Sequence, residues 1–378
     1  MSLSEDIKRF ALEIGYDQVG ITNADTFPGY LEDLKQRYDM YRFAIEGNLK
    51  LLYAYDPKHF MPDAKSIVVV AYDYFKESFP DELVNKIGRY YLSRCYPSKR
   101  FSVIEHTRRQ LMKEFLEKVG CEVNEKAILP ERQVASRAGI GDYGKNGFIY
   151  ANNGSSFITF SPFLVDVELD YDQPSTQQKC PDGCTLCIDA CPTGALYEPY
   201  RIDPRKCITL NNTSNGREAG LPNPIPTEIR EKMGTYIHGC DICQESCPRN
   251  QTRLKAGLVP NAFLHNIAKE IRLKDILNMD EDYFAKQIQP LVYNYMLRKK
   301  HIQRNAAIAM GNMANPENIS DLAQALQDKE EMVRAYAAWA LGRISELKAH
   351  QVLEMALPQE SSEWVVSEIK DAMGQCSC

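Results

Sequence analysis

Two short, cysteine-dense stretches constrain this chain more than any other feature. Residues 179–192 read KCPDGCTLCIDACP, and residues 239–248 read GCDICQESCP. Together with Cys207 they hold eight of the twelve cysteines, and each stretch ends in Cys-Pro. Clustered cysteines outside an oxidising compartment usually bind metal or do redox chemistry. We therefore expect this region to be organised around an inorganic centre.

The spacing indicates which centre. Two CxxC pairs could form a tetrahedral zinc site, and a set of structural disulfides is a second alternative. Zinc, however, does not need a final cysteine followed by proline, whereas ferredoxins use Cys-x2-Cys-x2-Cys-x3-Cys-Pro to bind [4Fe–4S] clusters. The first gap is one residue longer here, and we expect Pro181, Asp182 and Gly183 to form a turn that absorbs the extra residue.

Eight cysteines supply two [4Fe–4S] clusters with none left over. In the ferredoxin pattern the last cysteine of a run crosses to the other cluster. This rule assigns Cys180, Cys184, Cys187 and Cys247 to one cluster, and Cys191, Cys207, Cys240 and Cys243 to the other. Cys95, Cys121, Cys376 and Cys378 lie outside the pattern, and we expect Cys121 to be a small buried side chain.

Composition restricts the surroundings of such a centre. No apolar run approaches the ~18 residues that a membrane span needs, and the first twenty residues lack the apolar core of a signal peptide. We expect a cytoplasmic protein without a membrane partner. The net charge of −6 gives no overall attraction to nucleic acid, so such a partner would have to use a local basic patch.

The first ~170 residues have an α/β pattern. Residues 66–75 predict a buried strand, residues 155–169 a second strand, and residues 104–120 a helix that ends at Gly120. The segment 131–153 is rich in glycine but lacks dinucleotide-binding spacing. It predicts either a tight turn that lets the backbone approach a large planar ligand or a plain surface turn.

The last third of the chain contains a repeat. Residues 304–313 match residues 334–344 at an offset of 31, with small residues at the positions where stacked helices would meet. This favours a compact form of HEAT-like repeats. Just before and within the first copy lies a basic group, which is either a solvated surface or a phosphate-binding patch: Arg298, Lys299, Lys300 and Arg304.

In this order, the α/β region, AGIGDYGKN (138–146), the double-cluster cysteines and the repeat beginning IQRNA resemble the epoxyqueuosine reductase family. The resemblance implies an α+β multidomain protein in three parts: a nitroreductase-like α/β cobalamin-binding domain at 1–170, a ferredoxin-like double [4Fe–4S] domain at 171–255 and helical HEAT-like repeats at 256–378. It also implies a relationship to reductive dehalogenases and an oxidoreductase that completes queuosine in the tRNA anticodon.

The resemblance further implies cofactors and site residues. In the family two clusters pass electrons to base-off cobalamin, bound without a protein imidazole, and a carboxylic acid supplies a proton. Glu125 stands where the family has that acid as an aspartate. The expected cobalamin contacts are Lys145, Asn146, Ile149 and Ser156. Expected partners are tRNA, bound through the C-terminal repeats and their basic group, and an external low-potential electron donor. We expect a monomer.

Three departures from the family pattern concentrate away from the cluster ligands. Glu125 is one methylene longer than the family's aspartate, Ala54 replaces an arginine, and Arg100, Phe101 and Ser102 replace an Asp-Tyr-His run. They point to a remodelled substrate pocket. Two alternatives to tRNA modification therefore stay open: a paralogue that reduces a small molecule or a corrinoid, and a ferredoxin-like electron carrier with an interaction domain.

Overall fold

The computed structural model describes residues 2–47, 49–93, 102–152, 154–175, 180–213, 224–292 and 298–375. By its internal contacts the chain divides into two compact units, each assembled from separate stretches. The first unit comprises Met1–Lys76, Arg100–Arg205 and Ile242–Leu258; the second comprises Glu77–Lys99, Lys206–Asp241 and Val259–Cys378. The division into three consecutive domains stays a prediction.

The first unit is built on a four-stranded sheet. Its strands are β1 (Gln18–Asn23), β2 (Ser66–Asp73), β3 (Val123–Asn124) and β6 (Ile158–Val165), in the spatial order β1-β2-β6-β3. Every pair in this sheet is antiparallel. The two predicted strands are confirmed, and the sheet that contains them is antiparallel throughout.

Burial on both faces explains the continuous apolar sequence of β2. Ile67, Val69 and Ala71 point into one apolar cluster, while Val68 and Val70 point into another on the opposite face. Helices cover both faces, so the strand is a continuous apolar run, which is more typical of parallel sheets. Its apolar pattern therefore does not report the direction of its neighbours.

The helices of the first unit surround this sheet and the cysteine segment. The predicted helix at 104–120 is confirmed as Ser102–Lys118, and Gly120 follows it with a φ of 96°, a conformation that favours glycine. The other helices are Leu3–Glu13, Pro28–Gln36, Tyr38–Gly47, Pro57–Phe60, Glu131–Arg137, Leu186–Asp189, Ile242–Glu245 and Pro248–Leu254.

Two small hairpins complete the first unit. The strands β4 (Gly141–Tyr143) and β5 (Ile149–Ala151) pair antiparallel, as do β7 (Leu196–Glu198) and β8 (Arg201–Ile202). The first hairpin contains the glycine-rich segment, which therefore forms a tight turn as the sequence predicted. It carries Lys145 and Asn146 in the loop between its strands.

The second unit is helical in its described part. Its helices are Asp81–Val84, Arg89–Leu92, Ile208–Thr213, Thr227–Arg230, Ala262–Ile267, Leu273–Leu277, Glu281–Tyr283, Gln289–Val292, Lys299–Met313, Ile319–Ala325, Glu331–Ile344, Leu347–Ala356 and Glu363–Gln375. None of the helices in the described part of the chain is both long enough and apolar enough to cross a membrane.

The repeat predicted from small residues is present in this unit. The helices Lys299–Met313 and Glu331–Ile344 contain the two matching segments, and Gly311 of the first faces Ala340 of the second. Gly342 in turn faces Ala372 in the helix Glu363–Gln375, so a third helix continues the stack. A Cβ atom at Gly342 would lie 2.7 Å from the Ala372 Cα. Small residues thus set the close approach of these helices.

We expect Gly342→Ala to destabilise the second unit by about 1–3 kcal/mol, the usual cost of overpacking a tight contact. Gly374→Ala is the matched control, because nothing lies within 4 Å of a Cβ there. The control should be neutral or stabilise the protein by up to about 1 kcal/mol, because alanine is the better helix former. Urea unfolding monitored by circular dichroism measures both. Equal stability of the two variants would show that the helices can separate at no cost.

Candidate functional site

The four cysteines assigned to the first cluster all belong to the first unit, and their thiols lie near one another. Burial, together with the neighbouring thiols of Cys247, Cys180 and Cys184, raises the pKa of the Cys187 thiol to about 11. All four are free thiols, so the disulfide alternative is wrong for this set. Among the described residues no three His, Cys, Asp or Glu side chains form a site for a single metal ion.

The turn after Cys180 forms as the sequence predicted. The Cys184 N–H donates to the Pro181 carbonyl at 3.1 Å, and Gly183 has a φ of 72°. Lys145 fastens this turn: its Nζ donates to the carbonyls of Pro181 and Cys184 at 3.2 and 3.0 Å. The Lys145 backbone N–H also points at the Cys180 Sγ, 3.5 Å away. A backbone donor to a thiolate stabilises its ionised form, which is the form that binds iron.

Tyr150 connects the hairpin to Cys247. Its ring is fully buried, and its hydroxyl lies close to the Cys247 thiol and accepts from the Asn146 Nδ2 at 3.0 Å. Burial and the contact with Cys247 both raise the pKa of Tyr150. The same Asn146 Nδ2 lies 3.1 Å from the Cys243 carbonyl. The hairpin therefore fixes the backbone and the thiol of the second cysteine stretch.

A second buried set of polar groups holds the segment after Cys243. The Ser156 N–H donates to the Asn250 Oδ1 at 3.0 Å, and the Ser156 Oγ donates to the Gln244 Oε1 at 2.9 Å. The Asn250 Nδ2 lies 2.8 Å from the Ser156 Oγ and 2.9 Å from the Gln244 carbonyl. Because Ser156 lies 88 positions from Gln244 and 94 from Asn250, its hydrogen bonds join distant parts of the chain at the site.

Three of the four residues expected at the cobalamin have buried side chains. Asn146, Ile149 and Ser156 are 4%, 1% and 2% exposed, and the two polar side chains are occupied by the hydrogen bonds just described. The Asn146 and Ser156 side chains therefore support the cysteine segment, and the four cobalamin contacts stay a prediction. Lys145 is the member of the set whose side chain is only half-buried.

The glycines of the hairpin approach a protein side chain closely. A Cβ at Gly144 would lie 2.4 Å from the Tyr150 ring, and one at Gly141 would lie 2.1 Å from the Tyr150 carbonyl. Neither position can accept a larger residue without moving Tyr150. These two glycines are therefore required by the packing of Tyr150, and the approach of a planar ligand to this turn stays a prediction.

Sequence reasoning missed Tyr150, Gln244, Asn250 and Arg249. Arg249 lies two residues beyond Cys247, and its guanidinium stacks 3.9 Å from the centroid of the Tyr150 ring. Its Nη1 and Nη2 atoms are buried and have no hydrogen-bond partner among the described residues. Their positions were the only available signal. Gln244, Arg249 and Asn250 lie within three residues of a cysteine, and Tyr150 belongs to the glycine-rich segment.

Glu125 follows β3 in a bend and is half-buried. Its backbone is held on both sides: the Arg109 Nη2 donates to its carbonyl at 2.7 Å, and the Lys126 N–H donates to the Asn124 Oδ1 at 2.9 Å. The Lys126 side chain is exposed. The local backbone is thus fixed, while the carboxyl group keeps partial access to solvent.

Of the other departures from the family pattern, Ala54 is 1% exposed, so its position is in the core of the first unit. An arginine there would have to displace that packing. Ser102 begins the helix Ser102–Lys118, although its side chain is outside the description. Arg100 and Phe101 lie outside the described residues, as do Cys95, Cys376 and Cys378.

Cys207 and Cys240 belong to the second unit, where an asparagine network supports them. The Asn212 side chain brackets Gly239, donating to its carbonyl at 2.9 Å and accepting from its N–H at 2.8 Å. Asn305 in turn donates to the Asn212 carbonyl at 2.7 Å. The first repeat helix is thereby tied to the residue that precedes Cys240.

The basic group is not a single surface patch. Arg304 is fully buried and donates to the Asn211 carbonyl at 3.1 Å, so it cannot reach a phosphate. Lys299 is 8% exposed, and its Nζ lies 3.1 Å from the Gln303 Oε1. Both expectations are wrong because these side chains turn inward and complete the hydrogen bonding of the helical core. Arg298 is exposed, and Lys300 is half-buried beside Glu330 at 3.4 Å.

Residues 179–250 match the 4Fe-4S double cluster binding domain, and residues 297–374 match HEAT repeats. The first match covers all eight clustered cysteines, so the chain is an iron–sulfur protein. The zinc alternative is therefore not supported. Together with the repeat helices, the match accounts for the two motifs that stood out in the sequence.

Whole-chain similarities extend this result. The epoxyqueuosine reductase of Staphylococcus aureus is 30% identical over 377 residues, covering 96% of this chain and 94% of the relative. The Bacillus subtilis enzyme, in a form with its catalytic aspartate loop swung out of the active site, superposes with a TM-score of 0.83 at 27% identity, over 99% of each chain.

A crystal structure of epoxyqueuosine reductase with an epoxyqueuosine-modified tRNA-Tyr stem loop superposes equally well. Its TM-score is 0.83 at 27% identity, and 99% of this chain and 98% of that chain are covered. The similarity therefore includes both units and the cysteine segment rather than a shared module alone. With its clustered cysteines, its hairpin and its repeats all inside that match, the chain belongs to the epoxyqueuosine reductase family.

Proposed function

We propose that this protein is an epoxyqueuosine reductase, an oxidoreductase that converts epoxyqueuosine to queuosine in tRNA. The observation that carries the proposal is the match over nearly the whole chain, cysteine segment and repeats included. Removing the epoxide oxygen takes two electrons and two protons and leaves an alkene and water. A chain with two electron-carrying clusters and a positioned acid meets that requirement.

The first cluster is proposed to bind Cys180, Cys184, Cys187 and Cys247. Their proximity, the Lys145 N–H aimed at Cys180 and the Tyr150 hydroxyl at Cys247 support this set. The second is proposed to bind Cys191, Cys207, Cys240 and Cys243, a set that rests on the ferredoxin spacing. An external low-potential donor supplies the electrons, and we place the protein in the cytoplasm as a monomer.

Cobalamin, bound base-off without a histidine ligand, is the further proposed cofactor. When bound it would supply a low-valent cobalt centre able to act on the epoxide. The residues described here fit it only in part, since Lys145 alone among the four expected contacts has an accessible side chain. What this chain contributes is a fixed hairpin beside the first cluster and an acid, Glu125, on a bend that its neighbours hold in place.

The test is a reaction of anaerobically reconstituted protein with epoxyqueuosine-containing tRNA and excess dithionite. Nucleoside mass spectrometry should show queuosine replacing epoxyqueuosine, and supplying or withholding cobalamin tests the third cofactor. The buried Ala54 and the longer Glu125 favour one other candidate, a paralogue with a different substrate. Fully reduced clusters without any turnover of the tRNA would favour that paralogue.

We expect the surface members of the basic group, and not the buried ones, to contribute to tRNA binding. Replacing both Arg298 and Lys300 by alanine should weaken tRNA binding. The slope of log K against log salt should become shallower by roughly 0.7–0.9 for each phosphate contact that is lost.

Lys286→Ala is the matched control for this pair, because Lys286 is an exposed lysine of the same unit that pairs with Asp282 at 2.8 Å. It should leave both the affinity and the slope unchanged. Fluorescence anisotropy with a labelled tRNA across a salt series measures both quantities. An unchanged slope in the double variant would make Arg298 and Lys300 ordinary surface residues.

A further inference from the structure

The guanidinium of Arg249 is the exception among the inward-facing arginines of the first unit. In the same helix, Pro248–Leu254, Arg253 pairs with Asp73 at 2.9 Å. Arg137, which stacks on the Phe27 ring, donates to backbone carbonyls. Arg249 stacks on Tyr150, yet both of its terminal nitrogens are buried without a hydrogen-bond partner among the described residues.

A buried cation without a partner is costly, so such groups normally face a compensating negative charge. The aromatic face of Tyr150 compensates in part. The Tyr150 hydroxyl lies close to the Cys247 thiol, so the remaining negative charge that compensates Arg249 would come from the cluster bound there. The four thiolates that surround an iron–sulfur core give the assembly a net negative charge, which increases by one electron on reduction.

We infer that Arg249 makes the cluster held by Cys247 easier to reduce. Its positive charge lies across one aromatic ring from a cluster ligand, and its two terminal nitrogens are buried, so water screens the charge only weakly. It therefore stabilises the reduced cluster more than the oxidised one. The step is the uptake of one electron from a low-potential donor, without bond cleavage. The inference rests on the iron–sulfur part of the proposed function and not on the tRNA substrate.

The test is an anaerobic redox titration of the reconstituted full-length chain, followed by electron paramagnetic resonance of the reduced clusters. At the potential that half-reduces this cluster in the wild type, Arg249→Gln should lower its reduced-to-oxidised ratio by about tenfold. For a one-electron couple that is a shift of about 59 mV to lower potential. Arg249→Lys, which keeps the charge, should change the ratio by less than about threefold.

Arg132→Gln is the matched control. Its guanidinium stacks 4.6 Å from the centroid of Phe148 in the same hairpin, but the side chain is exposed. Water screening should limit its effect on the ratio to less than about twofold. Cys191→Ala protein should retain only the cluster of Cys247. Titrating this protein with and without Arg249→Gln shows whether the shifted potential belongs to that cluster.

An Arg249→Gln ratio within about twofold of the wild type, at full iron content, would overturn the inference, since no charge effect would then be present. If Arg249→Gln takes up less iron, Arg249→Met replaces it as the neutral variant. It should lower the reduced-to-oxidised ratio by the same amount. Iron loss in both neutral variants but not in Arg249→Lys would make Arg249 a structural support and would also overturn it. None of these outcomes depends on turnover of tRNA.

Discussion

Cys184→Ala and Cys191→Ala are each expected to lower the iron content of the reconstituted protein from about eight to about four atoms per chain, by removing different clusters. The reason is the crossing rule, which gives these two cysteines of one run to different centres although only seven positions separate them. Iron and acid-labile sulfide analysis measures the loss. Electron paramagnetic resonance of each reduced variant should show the one remaining cluster.

Cys121→Ala is the matched control for this experiment. Cys121 is buried in the apolar core of the first unit, and burial raises the pKa of its thiol, as for a structural cysteine. It should keep all the iron, as should deletion of residues 376–378. A stable protein that carries two zinc ions and lacks broad visible absorption would contradict the account, and so would loss of a cluster on truncation.

Glu125→Gln is expected to slow the conversion of epoxyqueuosine by about 10²–10⁴-fold, the usual effect of losing a general acid. The substitution keeps the shape of the side chain and removes the proton that it would donate. Because Arg109 holds the backbone of Glu125 and Asn124 holds that of Lys126, the fold should not change. Single-turnover kinetics on modified tRNA measure the rate.

Iron content and tRNA affinity should stay unchanged in this variant, which separates a lost proton from a damaged site. Glu125→Asp restores the family's residue and should retain activity only if the pocket still fits the shorter side chain. Full activity of Glu125→Gln would eliminate this carboxyl group as the acid. The next candidate would be Tyr143, which carries a proton at neutral pH but is a weaker acid than a free tyrosine, because burial raises its pKa to about 12.

Local rules predicted much of this protein because they act within a few residues. The turn at Pro181–Gly183 needs only the conformational freedom of glycine, and Gly183 adopts a positive φ. The end of the helix at Lys118 follows the same logic at Gly120. The 31-residue offset between the repeats is visible in the sequence because Gly311 and Gly342 each face an alanine on the next helix of the stack.

Long-range partners explain what the sequence did not predict. Arg304 lies in a run of basic residues, but its acceptor, the Asn211 carbonyl, is 93 positions away. Ser156 hydrogen-bonds Asn250 over 94 positions, a buried contact that no local pattern in the sequence indicates. The sequence also does not indicate whether β2 pairs parallel or antiparallel, because burial on both faces produces the same apolar run in both kinds of sheet.

The most direct test of the central claim counts electrons in a single turnover. Protein reduced with dithionite, freed of excess reductant and mixed with excess epoxyqueuosine-containing tRNA should form up to about one queuosine per chain, because two one-electron clusters store what one epoxide needs. Cys184→Ala protein, with half that store, should form markedly less. Undiminished queuosine formation by a protein that carries no iron, or none at all by a protein with both clusters reduced and cobalamin supplied, would contradict the account.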